Sequence, residues 1–372
     1  MNLPLAHHSL DLPVLSKPSR HLMTHCPTLL SRCFVALVAL VLAVSVGSDL
    51  AHAQLDRVYL LDSTTAAAGK VSKVTKNGVE VTAGTKTSNY AENEIRKVVF
   101  QSEPSGLTRA RELAIDGQYQ EALNDLKSVD FSKLSRDVIK ADAEYYRLLS
   151  RAKLALAGHS DRKAAINEAM SFARGNSNSY HFFSVAKLLG DLHLATKAHK
   201  QAIQFYDYLS KAPSAESKIE ARYLTGVALL DQGDTPAAEK AFSEVAAVEV
   251  NSTEALRFKT LAKAGQAVAF AKNGKGKEGL ALADELINQL NPTDIEMCAR
   301  IYNAQGESYE AAGDIEGAIL AYLHTHLMFS GQPDAHAKAL SRLVELWPKV
   351  GRTERAAEAR QELQTRYPGF VN

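Results

Sequence analysis

The sequence predicts a mainly α protein: an α-solenoid of about seven helical hairpins, preceded by a small β-barrel. Three observations carry this. Glycines at 190, 226, 265 and 306 recur at spacings of 36, 39 and 41 residues within helical patterns. Alanine is plentiful while aromatic residues make up only 7% of the chain, the composition of closely packed helices. Before the helices, Leu55 to Phe100 switches to period two, with Asn77-Gly78 as a hairpin signal.

The first 53 residues read as a leader. Lys17, Arg20 and Arg32 precede the apolar run Cys33 to Val46, which is too short to span a bilayer comfortably. Ala51-His52-Ala53 forms a small-x-small cleavage site, so the mature chain is expected to begin near Gln54, exported to the periplasm or beyond with no membrane span left. Met23 would give a leader of more usual length and is an alternative start. Cys26 and Cys33 leave with the leader, and the remaining Cys298 sits in a helical pattern as a small core residue. Of 43 basic and 42 acidic residues, the leader holds three and two, so the mature chain is neutral. Nucleic-acid binders carry a basic excess or stripe, and none is present, which argues against nucleic acid as the main partner.

Residues 54–103 form the expected β module. Val58 to Leu61, Gly69 to Val74, Val79 to Val81, Thr85 to Tyr90 and Ile95 to Phe100 are its candidate strands. A sheet this small has little core of its own and should pack on the first helices. Residues 104–372 are the helical part. Its first, second, fourth, fifth, sixth and seventh hairpins turn at Gly117, at Gly158 to Asp161, at Gly233-Asp234, at Asn273 to Gly276, at Gly313-Asp314 and at Gly351, and the third spans Tyr180 to Pro213. A hairpin with one apolar side cannot hide it alone, and stacking joins these sides into one core. In the last helix, Glu354 to Arg366, Ala356, Ala357 and Leu363 are expected inward, with Glu354, Arg355, Glu358, Arg360, Glu362 and Arg366 outward. Trp347 is expected on the first helix of that last pair, as a packing residue.

The clearest unit runs Ile301 to Glu310, turns at Ala311 to Asp314 and resumes as Ile315 to Tyr322. Gly306 is small where two helices approach, and Ala318 and Tyr322 form one face of the second helix. Gly226, Ala238 and Phe242 repeat the pattern, as do Gly190, Ala202 and Tyr206. These units resemble the tetratricopeptide repeat, a helical hairpin of about 34 residues. The β module, through Gly69-Lys70-Val71 and Ile95 to Phe100, resembles SH3-like and Sm-like barrels.

The first resemblance implies a concave groove lined by the first helix of each hairpin. Aligned on the four glycines, its residues would be Lys187 and Asp191, Tyr223 and Val227, Gln266 and Ala269, and Asn303, Glu307 and Glu310. It implies a protein or peptide partner, bound without enzymatic chemistry, and no cofactor.

No catalytic constellation emerges from the sequence. His324 and His326, two apart on a helix, point to opposite sides and cannot share a metal. His193 and His199 have poor ligand spacing. Gly274-Lys275-Gly276-Lys277 lacks the remaining parts of a phosphate loop and reads as a helix corner. Glu307 and Glu310, one turn apart, are expected as solvated groove residues; an enzyme or enzyme subunit built on them is the alternative, as is an RNA-binding protein acting through the Sm-like module.

Overall fold

A computed structural model describes residues 55–250 and 252–370. The expected leader, with its cleavage site, lies outside the described residues. Among those described, no helix is long and apolar enough to cross a membrane.

Five strands come first: β1 (Asp56–Leu60), β2 (Ala67–Thr75), β3 (Gly78–Ala83), β4 (Lys86–Ala91) and β5 (Ile95–Val99). They pair antiparallel in the order β4-β3-β2-β1-β5. The β2–β3 hairpin forms where Asn77-Gly78 predicts it, but not through a turn with two left-handed residues. Thr75 pairs with Gly78, and only Gly78 has positive φ, at 141°. Glycine is required there because β4 crosses it closely: a Cβ would lie 2.0 Å from the Tyr90 carbonyl oxygen.

Val58, Val71, Val81, Val98 and Phe100 share one buried cluster with Leu107, Ala110, Ile139 and Tyr146 of the first helices, so the sheet completes its core on the helical array. Asp56 fixes the junction. Its carboxylate accepts from the Val71 amide (2.8 Å), the Gln101 amide (2.7 Å) and the Arg136 guanidinium (2.7 and 3.1 Å).

The helices follow as seven pairs: α1 (Ser105–Ile115) with α2 (Tyr119–Leu126), α3 (Asp137–Leu156) with α4 (Arg162–Gly175), and α5 (Phe182–Ala195) with α6 (His199–Leu209). Next come α7 (Ala215–Gln232) with α8 (Thr235–Ala246), and α9 (Thr253–Lys272) with α10 (Gly276–Asn288). The last are α11 (Ile295–Ala312) with α12 (Ile315–Met328), and α13 (Pro333–Leu346) with α14 (Thr353–Arg366). The Gly-Asp corners work as two caps in series. Gly313 takes the left-handed conformation that closes α11 (φ 81°), and Asp314 Oδ1 then accepts the Gly317 amide at 2.8 Å to open α12.

Inside three hairpins one steric device recurs. A Cβ on Gly190, Gly226 or Gly306 would lie 2.2, 2.7 and 2.7 Å from the ring of Tyr206, Phe242 or Tyr322, each on the hairpin's own second helix. Gly265 does not belong to this series, contrary to the expected register. It faces Phe242 of the preceding hairpin instead, and Ala267, fully buried, is the residue seven before the Gly274 corner, as Gly226 is to Gly233 and Gly306 to Gly313. The frame is therefore shifted by two residues in the fifth hairpin.

Two expectations at the last hairpin are also corrected. Trp347 lies in a 3₁₀ turn (Trp347–Val350) just past α13, because Pro348 cannot continue the helical hydrogen bonding. In α14 the inward face is Ala356, Ala359 and Leu363, spaced three and four, while Ala357 is exposed. Beyond α14, the chain meets the corner of the second hairpin. The Arg162 guanidinium donates to the carbonyls of Ala155 (3.2 Å), Ala195 (3.2 Å) and Gly369 (2.6 Å), and a Cβ on Gly158 would lie 2.1 Å from the Gly369 nitrogen.

Candidate functional site: a charged inner layer

The first helices of neighbouring hairpins touch directly, α3 with α5, α7 with α9, α9 with α11 and α11 with α13, and side chains carry this inner layer across from α5 to α7. Opposite charges span its steps. Lys187 on α5 meets Glu220 on α7 at 2.5 Å. Arg257 on α9 meets Glu296 on α11 at 2.5 Å and Asp294, the N-cap of α11, at 3.1 Å. Glu307 on α11 lies between Lys272 of α9, at 3.6 Å, and Lys338 of α13, and Glu310 pairs with Arg342 of α13. Such bridges also hold neighbouring hairpins at a set angle, since each charge sits on a different rigid helix.

Most of the sequence-predicted groove residues belong to this layer, though not as free, solvated side chains. At Lys187, burial opposes the charge, but Glu220 and Asp191 outweigh it and raise the pKa. Asp191 accepts from the Tyr206 hydroxyl at 2.9 Å; burial dominates there and lifts its pKa despite Lys187. Tyr223 is buried against Phe242 and Phe258, with ring centroids 6.0 and 5.8 Å away. Asn303 is buried and donates to the Ala335 carbonyl at 2.9 Å, while its Oδ1 has no donor among the described residues. Glu307 is half-buried; burial would raise its pKa, but Lys338 and Lys272 outweigh it and keep the carboxylate ionised. Glu310 accepts from the Tyr322 hydroxyl at 2.7 Å and from Arg342. A carboxylate clamped by cations in this way is poorly suited to deliver or take a proton near neutrality.

Gln266 and Ala269 do not join the others. Gln266 donates to Ser243 Oγ on α8 at 2.8 Å, in the seam between hairpins, and Ala269 is fully buried. The two-residue frame shift at Gly265 explains both. Sequence reasoning missed Glu220, Arg257, Lys338 and Arg342. Their signal is an opposite charge about one repeat length away, as with Arg257 and Asp294, 37 residues apart, or Arg342 and Glu310, 32 apart.

Where α5 meets α7, a cavity of about 350 Å³ opens against the β4–β5 loop. Glu92, Glu216, Glu220 and Glu254 line it with a single cation, Lys187. The sheet thus supplies one wall of a recess that also belongs to the inner layer.

Helical hairpins stacked through small-against-aromatic contacts, with their first helices forming one inner layer, define a solenoid of the tetratricopeptide-repeat type. Solved structures agree. A tetratricopeptide repeat protein from Parabacteroides merdae superposes with a TM-score of 0.50 at 15% identity, over 70% of this chain and 92% of that one. A Rap protein complexed with competence and sporulation factor gives 0.51 at 14%, over 71% of this chain and 74% of that one. At these identities the likeness is one of fold. No family model matches the sequence, and no curated protein does.

Proposed function

We propose that this protein is a non-enzymatic scaffold of the cell envelope that binds a partner polypeptide along its inner helical layer. Export rests on the leader: a basic lead, a short apolar run and Ala51-His52-Ala53. Recovery of mature protein beginning near Gln54 outside the cytoplasmic membrane tests that part.

The observation that carries the binding reading is the recess of about 350 Å³ beside Lys187, where four carboxylates face one cation. A Rap protein of like fold is solved complexed with competence and sporulation factor, which supports a binding role for this fold. The excess of carboxylates around the recess near Lys187 favours a partner that brings a basic side chain there.

Photo-crosslinkers placed in intact cells at Ser184, exposed beside the recess, and at Leu320, exposed on α12, provide the test. One polypeptide should be trapped from Ser184 and not from Leu320, and Glu216→Gln with Glu254→Gln should weaken its capture. Trapping from Leu320 alone, or capture indifferent to those two glutamates, would refute the inner-layer reading.

A further inference from the structure

Three helices that are separate in sequence bring two imidazoles and a carboxylate together at the last two hairpins. His326 comes from α12, His336 from α13 and Glu362 from α14, and one ligand atom of each lies within 4.8 Å of the others. We propose that these three residues bind one divalent transition-metal ion of the zinc class, with water completing its coordination.

The donor set selects the ion. Two imidazole nitrogens and one carboxylate suit zinc, cobalt, nickel or copper, whereas magnesium and calcium prefer oxygen alone. The distances bracket what such an ion needs. His326 Nδ1 and His336 Nε2 are 2.8 Å apart, and the Glu362 oxygens lie 3.8 Å from His336 Nε2 and 4.0 Å from His326 Nε2. A tetrahedral zinc-class ion with bonds of about 2.0–2.1 Å holds neighbouring ligand atoms roughly 3.3 Å apart. Binding therefore asks the imidazoles to part slightly, His326 to turn so that a lone pair converges on the ion, and the carboxylate to close in.

The residues that must move are the ones free to do so. His326 and Glu362 are half-buried and border solvent, which also gives the ion a way in. Glu362 has to exchange its 2.9 Å bond from Arg366 for the metal. His336, by contrast, is fully buried and held: its Nδ1 lies 2.8 Å from the Tyr367 hydroxyl. With Nδ1–H donating to that oxygen, Nε2 carries the free lone pair, which is the outer support that metal-binding histidines commonly have. The bound ion would join α12, α13 and α14 through one centre and tie the final hairpin to the one before it.

The test uses the mature chain stripped of metal with a chelator and titrated with Co²⁺ and then Zn²⁺. One equivalent of Co²⁺ should bind, with visible absorption bands that Zn²⁺ abolishes, and Zn²⁺ should raise the unfolding temperature. His326→Ala and Glu362→Gln, at half-buried positions, should each lower affinity by tenfold or more. Tyr367→Phe should lower it by about 10–100-fold, the usual effect of losing an outer-sphere partner. His324→Ala, whose ring stacks on Tyr302 away from the cluster, should leave affinity unchanged. Absence of a stoichiometric ion in the wild type, or equal binding by the His326→Ala, Glu362→Gln double variant, would overturn the proposal.

Discussion

The two ends of the helical array hold together by different means. At the N-terminal end, the sheet and first hairpins close over a buried ionic knot. Arg111, fully buried, donates to both oxygens of Glu103 (2.7 and 2.8 Å) and to Asp142 Oδ2 (2.7 and 3.1 Å). Asp142 also accepts from Tyr180 at 2.6 Å and meets His181 at 2.9 Å. From the third hairpin onward, the recurring contact is steric: a glycine under an aromatic ring, in Gly190–Tyr206, Gly226–Phe242 and Gly306–Tyr322. A knot works only when all its members are present, whereas a steric pair needs two residues of the right size. Repetition therefore suits the second device, and the odd junction with a sheet uses the first.

The largest expected effect lies in the knot. Arg111→Met should destabilise the fold by about 3–5 kcal/mol, because Asp142 and Glu103 stay buried without their cation. Urea unfolding of the full chain measures this, and a loss below 1 kcal/mol would place the knot among ordinary contacts. In the steric region, Gly226→Ala should cost about 1–3 kcal/mol by pushing on Phe242. Phe242→Leu in the same chain should return part of that loss, which a double-mutant cycle would show as coupling.

A smaller effect concerns pH at the sheet junction. Burial would raise the Asp56 pKa, but hydrogen bonds from Arg136, Gln101 and Val71 outweigh it and hold it below the ordinary carboxylate value. Its stabilising contribution is therefore present above the unfolded-state pKa of about 3.9 and lost as pH falls through the lower folded value. Asp56→Asn should flatten the acid limb of the stability curve and leave the slope above pH 6 unchanged. Smallest of all, Arg222→Ala should change stability by less than about 1 kcal/mol, since its pair with Glu244 is exposed on both sides.

The same contrast decides what the sequence could reveal. Gly306 and Tyr322 lie 16 residues apart in one hairpin, and a local pattern of sizes exposes the pair. Asn303, Glu307, Glu310 and Lys187, placed by the resemblance to tetratricopeptide repeats once the glycines were aligned, lie on the helices of the inner layer. Gln266 falls in the seam between hairpins instead, because Gly265 lies two residues before the repeat position, which Ala267 fills, and a frame taken from that glycine slips with it. Arg111 and Asp142, 31 apart, belong to different hairpins, and nothing local marks either as buried. His326, His336 and Glu362 likewise come from three helices, so no ligand spacing along one helix could announce them.

One contact reaches further than any of these. The Arg162 guanidinium and the Gly369 carbonyl are 207 residues apart in sequence, yet they meet at 2.6 Å. That meeting fastens the short segment beyond α14 to the second hairpin like a buckle on a belt. A fastening across so long a loop ties the end of the chain to an interior hairpin, and Arg162→Ala should let the amides around Gly369 exchange their hydrogens faster while the hairpins between stay stacked.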